Sequence, residues 1–131
     1  MITLSVEIRN ENPPNFQEIK AVLPITEDNI FTYGDTLYVP SGREVPPDIL
    51  IHEEVHSKQQ KNPAIWWDKY LKDLAFRLEE ELVAYKAQYA FAKEKHGSSA
   101  AKLALEELAR NLSTLYALNL TYHQAHTLIR K

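Results

Sequence analysis

From Pro47 to the C-terminus only one further proline, Pro63, and one glycine, Gly97, interrupt the chain. These two residue types end helices for physical reasons: proline removes a backbone donor, and glycine adopts backbone angles that other residues avoid. The long C-terminal part is therefore expected to be helical. Pro46-Pro47-Asp48 is suited to opening a first helix, from Asp48 to about Gln60, which Asn62-Pro63 stops. A second spans Ala64 to Lys72, and a third runs from about Asp73 to Lys95 with Gly97 as its left-handed stop. Ser98 and Ser99 cap a fourth, in which Ala101, Leu105, Leu108 and Leu112 recur at helical spacing. Thr121 and Gln124 form a capping-box pattern before a terminal helix ending near Arg130.

The N-terminal part has a different texture. Thr3 to Ile8 alternates polar and apolar residues and reads as a strand. Asn15 followed by Glu18 resembles a cap for a short helix, Phe16 to Val22, that Pro24 ends. Ile30 to Tyr33 and Thr36 to Val39, around Gly34-Asp35, make a hairpin. The expected fold is α+β, mostly helical, with a small N-terminal sheet packed on helices. At 131 residues, 44% hydrophobic and 25% charged, the chain is expected to form one domain.

Several function classes are disfavoured. Fifteen Lys and Arg are spread among eighteen Asp and Glu without a basic run, so no nucleic-acid partner is expected. There is no cysteine, which removes disulfides, thiolate metal sites and thiol catalysis together. No secretory leader pattern stands at the N-terminus and no stretch approaches the roughly 18 apolar residues of a membrane span, so a cytoplasmic protein without a membrane partner is expected. Neither a glycine-rich phosphate loop nor a serine-nucleophile context occurs.

One constellation carries chemistry. His52-Glu53-Glu54-Val55-His56 is an HExxH pattern inside the first long helix. Histidines four apart differ by only about 40° around a helix axis, so both imidazoles can reach one metal ion. Glu53 then stands beside the ion's open position, where it can take a proton from water. A tetrahedral catalytic zinc needs a third protein ligand. In HExxHxxGxxH that ligand is a histidine six residues on, but Gln59 and Asn62 occupy the glycine and histidine positions. The later helix offers Glu79, Glu80 and Glu81. Taking Leu74, Leu78, Leu82, Tyr85 and Tyr89 as the inward stripe, Glu81 lies within about 50° of its centre, Glu79 about 110° away and Glu80 nearly opposite. A buried carboxylate requires a partner, so a metal ion or a cation such as Arg77 is expected beside Glu81.

His52-Glu53-x-x-His56 followed by Glu81-x-x-Ala84-Tyr85 resembles the gluzincin branch of zinc peptidases. In that family a downstream helix supplies a glutamate ligand. Trp66-Trp67, Tyr70 and Phe76-Arg77-Leu78 also resemble small metallopeptidases of phage and prophage genomes, the likeness covering roughly Ile30 to Tyr89. The resemblance implies zinc held by His52, His56 and Glu81, hydrolysis of a peptide or protein substrate with Glu53 as general base, and an edge strand, here Thr36 to Val39, that pairs with substrate. Tyr85 stands where many gluzincins have an aspartate that steadies a zinc histidine, so that partner is unassigned. The donor for transition-state charge is open among Tyr116, Tyr122, His123 and His126. A zincin scaffold that holds metal or a partner without cleaving anything is the alternative, favoured by small size and disfavoured by the intact Glu53.

Overall fold

The structure, a computed structural model, describes residues 6–131. In chain order the elements are β1 (Glu7–Arg9), α1 (Phe16–Val22), β2 (Phe31–Tyr33), β3 (Thr36–Tyr38), α2 (Pro47–Gln59), α3 (Pro63–Lys72), α4 (Leu74–Thr114) and α5 (Tyr122–Arg130). The fold is α+β and mostly helical, as composition and breakers imply. Residues 3–5 of the expected first strand lie outside the described residues. Among the described residues no helix is long and apolar enough to cross a membrane.

The sheet has the order β1-β3-β2, with β1 parallel and β2 antiparallel to β3. This corrects the expectation that Thr36 to Val39 is a free edge. β1 arrives beside β3 on the side away from β2, so β3 is paired along both of its edges and cannot take an added strand. Gly34, at φ +63°, makes the two-residue turn, and a Cβ there would stand 3.2 Å from the Pro63 side chain. The turn docks onto the end of α2. Gly34 N–H donates to Gln60 Oε1 at 2.7 Å, and Gln60 Nε2 donates to the Thr32 carbonyl at 3.0 Å. Trp67 Nε1 donates to the same carbonyl at 2.9 Å, so on the outer edge of β2 the Thr32 carbonyl is taken by side chains from α3 and from the residue that ends α2.

Three further expectations change in detail. Asn15 precedes α1 but caps nothing, because at ψ 28° it lacks the extended backbone that aims a cap side chain; its amide atoms are buried without a partner. At φ 83° and ψ 178°, Gly97 is in an extended region essentially reserved for glycine, not the left-handed helical one. There the chain reverses, and the arms of α4, residues 74–96 and 98–114, pack together through Tyr85, Leu105 and Leu108. The inward face of the first arm carries Arg77, Glu81, Ala84, Tyr85, Gln88 and Ala92, while Leu74 is half exposed at 52%. The face is thus rotated by roughly 70° from the leucine stripe, which brings Glu81 to its centre.

Two cores result. Ile19, Leu23, Phe31, Tyr38, Trp66, Trp67 and Tyr70 form an aromatic one between sheet, α1 and α3. Tyr85, Leu105, Leu108, Ala109, Leu112, Ala125 and Ile129 form a mainly aliphatic one between the α4 arms and α5. Tyr116, just beyond α4, packs against both.

Candidate metal centre

α2 and the first arm of α4 meet where the two cores adjoin, and His52, His56 and Glu81 converge there. Each offers a ligand atom, these lie within 4.8 Å of one another, all three residues are buried, and the group could hold a metal ion. His52 Nε2 is 3.0 Å from Glu81 Oε1, and His56 Nε2 is 3.2 Å from the same carboxylate. Arg77 does not neutralise Glu81. Its guanidinium donates to the carbonyls of Tyr70, Leu71 and Tyr116, each at 2.8 Å, tying the end of α3 to the segment after α4. Glu79 is exposed, and Glu80 faces away to accept from Trp66 Nε1 at 2.7 Å.

The far nitrogens of both rings are fixed from behind. His52 Nδ1 is 3.0 Å from Gln88 Oε1, and Gln88 Nε2 donates to Asp48 Oδ2 at 2.9 Å. His56 Nδ1 is 2.8 Å from Gln59 Oε1, and Gln59 Nε2 donates to the Glu80 carbonyl at 3.1 Å. A carboxylate and a backbone carbonyl only accept, so each amide must turn its NH2 to them and its oxygen to the histidine. Both Nδ1 atoms therefore carry the proton as donors. In a neutral ring that leaves the Nε2 lone pair free, and both Nε2 atoms face Glu81. The donor set fits a metal: two imidazoles in the ligating tautomer and one carboxylate, each oriented by a hydrogen bond from behind. Glu81 receives its own from the Tyr70 hydroxyl, which donates to Oε2.

The electrostatics follow from burial and proximity. Burial alone would lower the His56 pKa, but the charge of Glu81 and the hydrogen bond to it prevail and raise it to about 9. Burial would likewise raise Glu81, yet the adjoining histidines hold its carboxyl well below the usual range. A proton on His56 Nε2 thus occupies the position a metal would take. Burial pushes the hydroxyls of Tyr70, Tyr85 and Tyr116 upward, reinforced by the Glu81 charge, so all three remain protonated at neutral pH.

Glu53 is buried beside the triad without joining it. Its Oε1 accepts from Thr32 Oγ1 at 2.8 Å, and its Oε2 is 3.9 Å from His52 Nε2. Burial raises its pKa, partly offset by the two histidines. A cavity of about 290 Å³ and one of about 70 Å³ open on His52 and Glu53. Tyr116 lines both, and its hydroxyl is 2.6 Å from that of Tyr85. Tyr122, His123 and His126 line neither.

Thr32, Gln59, Gln88 and Tyr70 join the centre without a role expected from the sequence. Gln59 is three residues after His56, a spacing that places two side chains on one helix face, and Gln88 is two turns beyond Glu81. Those spacings were available signals. Thr32 and Tyr70 reach the centre only through tertiary packing. Comparison of the chain with family models, with curated proteins and with solved structures gives no match.

Proposed function

We propose that the chain is a zinc-dependent peptide hydrolase of the gluzincin type, acting in the cytoplasm on a peptide or protein substrate. One observation carries this reading: a buried His52–His56–Glu81 group adjoins a buried carboxylate, Glu53, that is held by Thr32 and is not needed as a ligand. A purely structural metal site has no use for such a group. Two imidazoles and one carboxylate, with no cysteine in the chain, suit zinc with a remaining open position. The helix-borne Glu81-x-x-Ala84-Tyr85 supports the gluzincin likeness, and Gln88 does the work expected of the missing aspartate.

When bound, zinc supplies Lewis acidity, polarising the scissile carbonyl and acidifying a water. Glu53 accepts the proton of the attacking water and returns it to the leaving amine; its burial-raised pKa suits a group that must both take and give. Thr32, held through its carbonyl by Gln60 and Trp67, keeps one oxygen of Glu53 fixed so that the other is available. Tyr116, protonated and lining both cavities, is the donor that meets the charge developing on the carbonyl oxygen.

The test uses the purified, untagged protein. Elemental analysis should give one zinc per chain, and Glu53→Gln should keep that zinc while losing peptide hydrolysis by ~100-fold to ~10,000-fold. A chain that binds no metal after zinc is added, or a Glu53→Gln variant that cleaves as fast as the parent, defeats the reading.

A further inference from the structure

The surroundings of the centre are chemically lopsided. On the α3 side, the smaller cavity is walled by Ile25, Phe31, Trp66 and Trp67, and its only charged residues are the centre's own. On the other side, the larger cavity is bordered by Asp28, Asp48, Glu107 and one cation, Arg43. Through Asp48, Ala92 and Ala104 it runs on into a groove of about 840 Å³ along the α4 hairpin, past Glu94 and Lys95 to His96 near the tip. From Tyr85 to His96 the helix rises roughly 16 Å, the length of about five residues of extended chain.

Charge gives that groove a polarity. Four carboxylates face two cations along it, and none of the four is in an ion pair among the described residues. Arg43 is turned toward the Asp28 carbonyl at 3.2 Å. With β3 paired on both edges and the Thr32 carbonyl of β2 taken, the groove offers a path along which an extended chain can reach Glu53.

We propose that the ligand of this centre is an extended polypeptide segment carrying basic side chains on the α4-hairpin side of the bond at Glu53 and an apolar side chain on the Trp66–Trp67 side. The inference rests on the peptidase reading above and deepens it by naming the substrate class. Carboxylates on a groove rim attract cationic side chains in passing and hold them weakly, each exposed pair contributing little and falling off with salt.

The probe is a set of labelled ten-residue peptides with a central leucine flanked on one side by two lysines, two glutamates or two serines, made in both orders. Binding is measured to zinc-loaded Glu53→Gln, which does not consume them, and cleavage to the zinc-loaded parent. In one of the two orders, lysine peptides should bind about tenfold more tightly than glutamate peptides at low salt, and 0.5 M NaCl should erase most of the difference. Shortening the lysine side should weaken binding until about five residues are gone. Glu94→Lys with Glu107→Lys, both at exposed positions, should reverse the preference while leaving zinc content unchanged. Equal binding of all peptides, preference for glutamate, or no binding at all overturns the inference. Cleavage by the parent without charge preference leaves the peptidase reading standing and removes this one. Selective binding of lysine peptides that the parent never cleaves does the reverse.

Discussion

Leu112 and Glu81 sit on opposite arms of the same hairpin and are almost equally hidden from water, at 0% and 3% exposure, yet they are buried for opposite reasons. Leu112 gains by leaving water, as do Leu105, Leu108, Ala125 and Ile129 around it. Glu81 loses its hydration, and only the groups aimed at it make its position tolerable. The first arm buries Arg77, Glu81 and Gln88 and meets His52 and His56 of α2, whereas the buried residues of the second arm are all alanine or leucine. The second arm and α5 thus form an apolar support, and the first arm and α2 carry the buried polar groups, whose desolvation costs stability.

The largest effect expected from breaking this division is at Glu81. Glu81→Ala removes one of the three groups proposed to hold zinc and should weaken zinc binding by more than the ~10–100-fold typical of losing an outer partner. Glu79→Ala and Glu80→Ala should leave affinity near that of the parent, since Glu79 is exposed and Glu80 is engaged by Trp66. Competition titrations with a chelator decide it, and equal losses at all three positions refute the assignment.

Leu112→Ala should show the opposite signature. Removing the methyl groups of a fully buried leucine costs about 2–5 kcal/mol, from lost transfer energy and the cavity left behind. Denaturant unfolding should show this loss with and without zinc, while zinc affinity in the folded protein stays unchanged. Loss of zinc affinity in a folded Leu112→Ala chain would mean that the two regions are one energetic unit.

The same division explains what could be read in advance. Leu105, Leu108 and Leu112 repeat at helical spacing because burying apolar surface is a local, periodic requirement, and the structure keeps that face inward. The same rule applied to the first arm took Leu74, Leu78 and Leu82 as the core stripe and missed by roughly 70°. There the inward face is polar, and hydrophobicity cannot report it. Glu81 is buried all the same because the two faces overlap at its position. His52, Glu53 and His56 were legible because their spacing follows from helix geometry alone. The parallel placement of β1 against β3, which closes the supposed substrate edge, depends on a long connection and left no trace in local pattern.

The smallest effect tests how far the polar region extends beyond its ligands. Gln88 touches no metal position; it holds His52 Nδ1 through its oxygen and is itself held by Asp48. Gln88→Ala should therefore keep the fold and all three ligands but let the His52 ring turn and change tautomer, weakening zinc binding by ~10–100-fold, about 1.4–2.7 kcal/mol. Asp48→Asn is the finer probe. An asparagine can still accept from Gln88 through its amide oxygen, so it should cost less than Gln88→Ala, whereas Asp48→Ala should approach it. Chelator competition gives the affinities, and the chemical shifts of the His52 ring nitrogens report the tautomer directly. If Gln88→Ala binds zinc like the parent with the Nδ1 proton still in place, the ring is held by packing against Tyr85, whose ring lies 4.5 Å from it, and the Asp48–Gln88 relay is incidental.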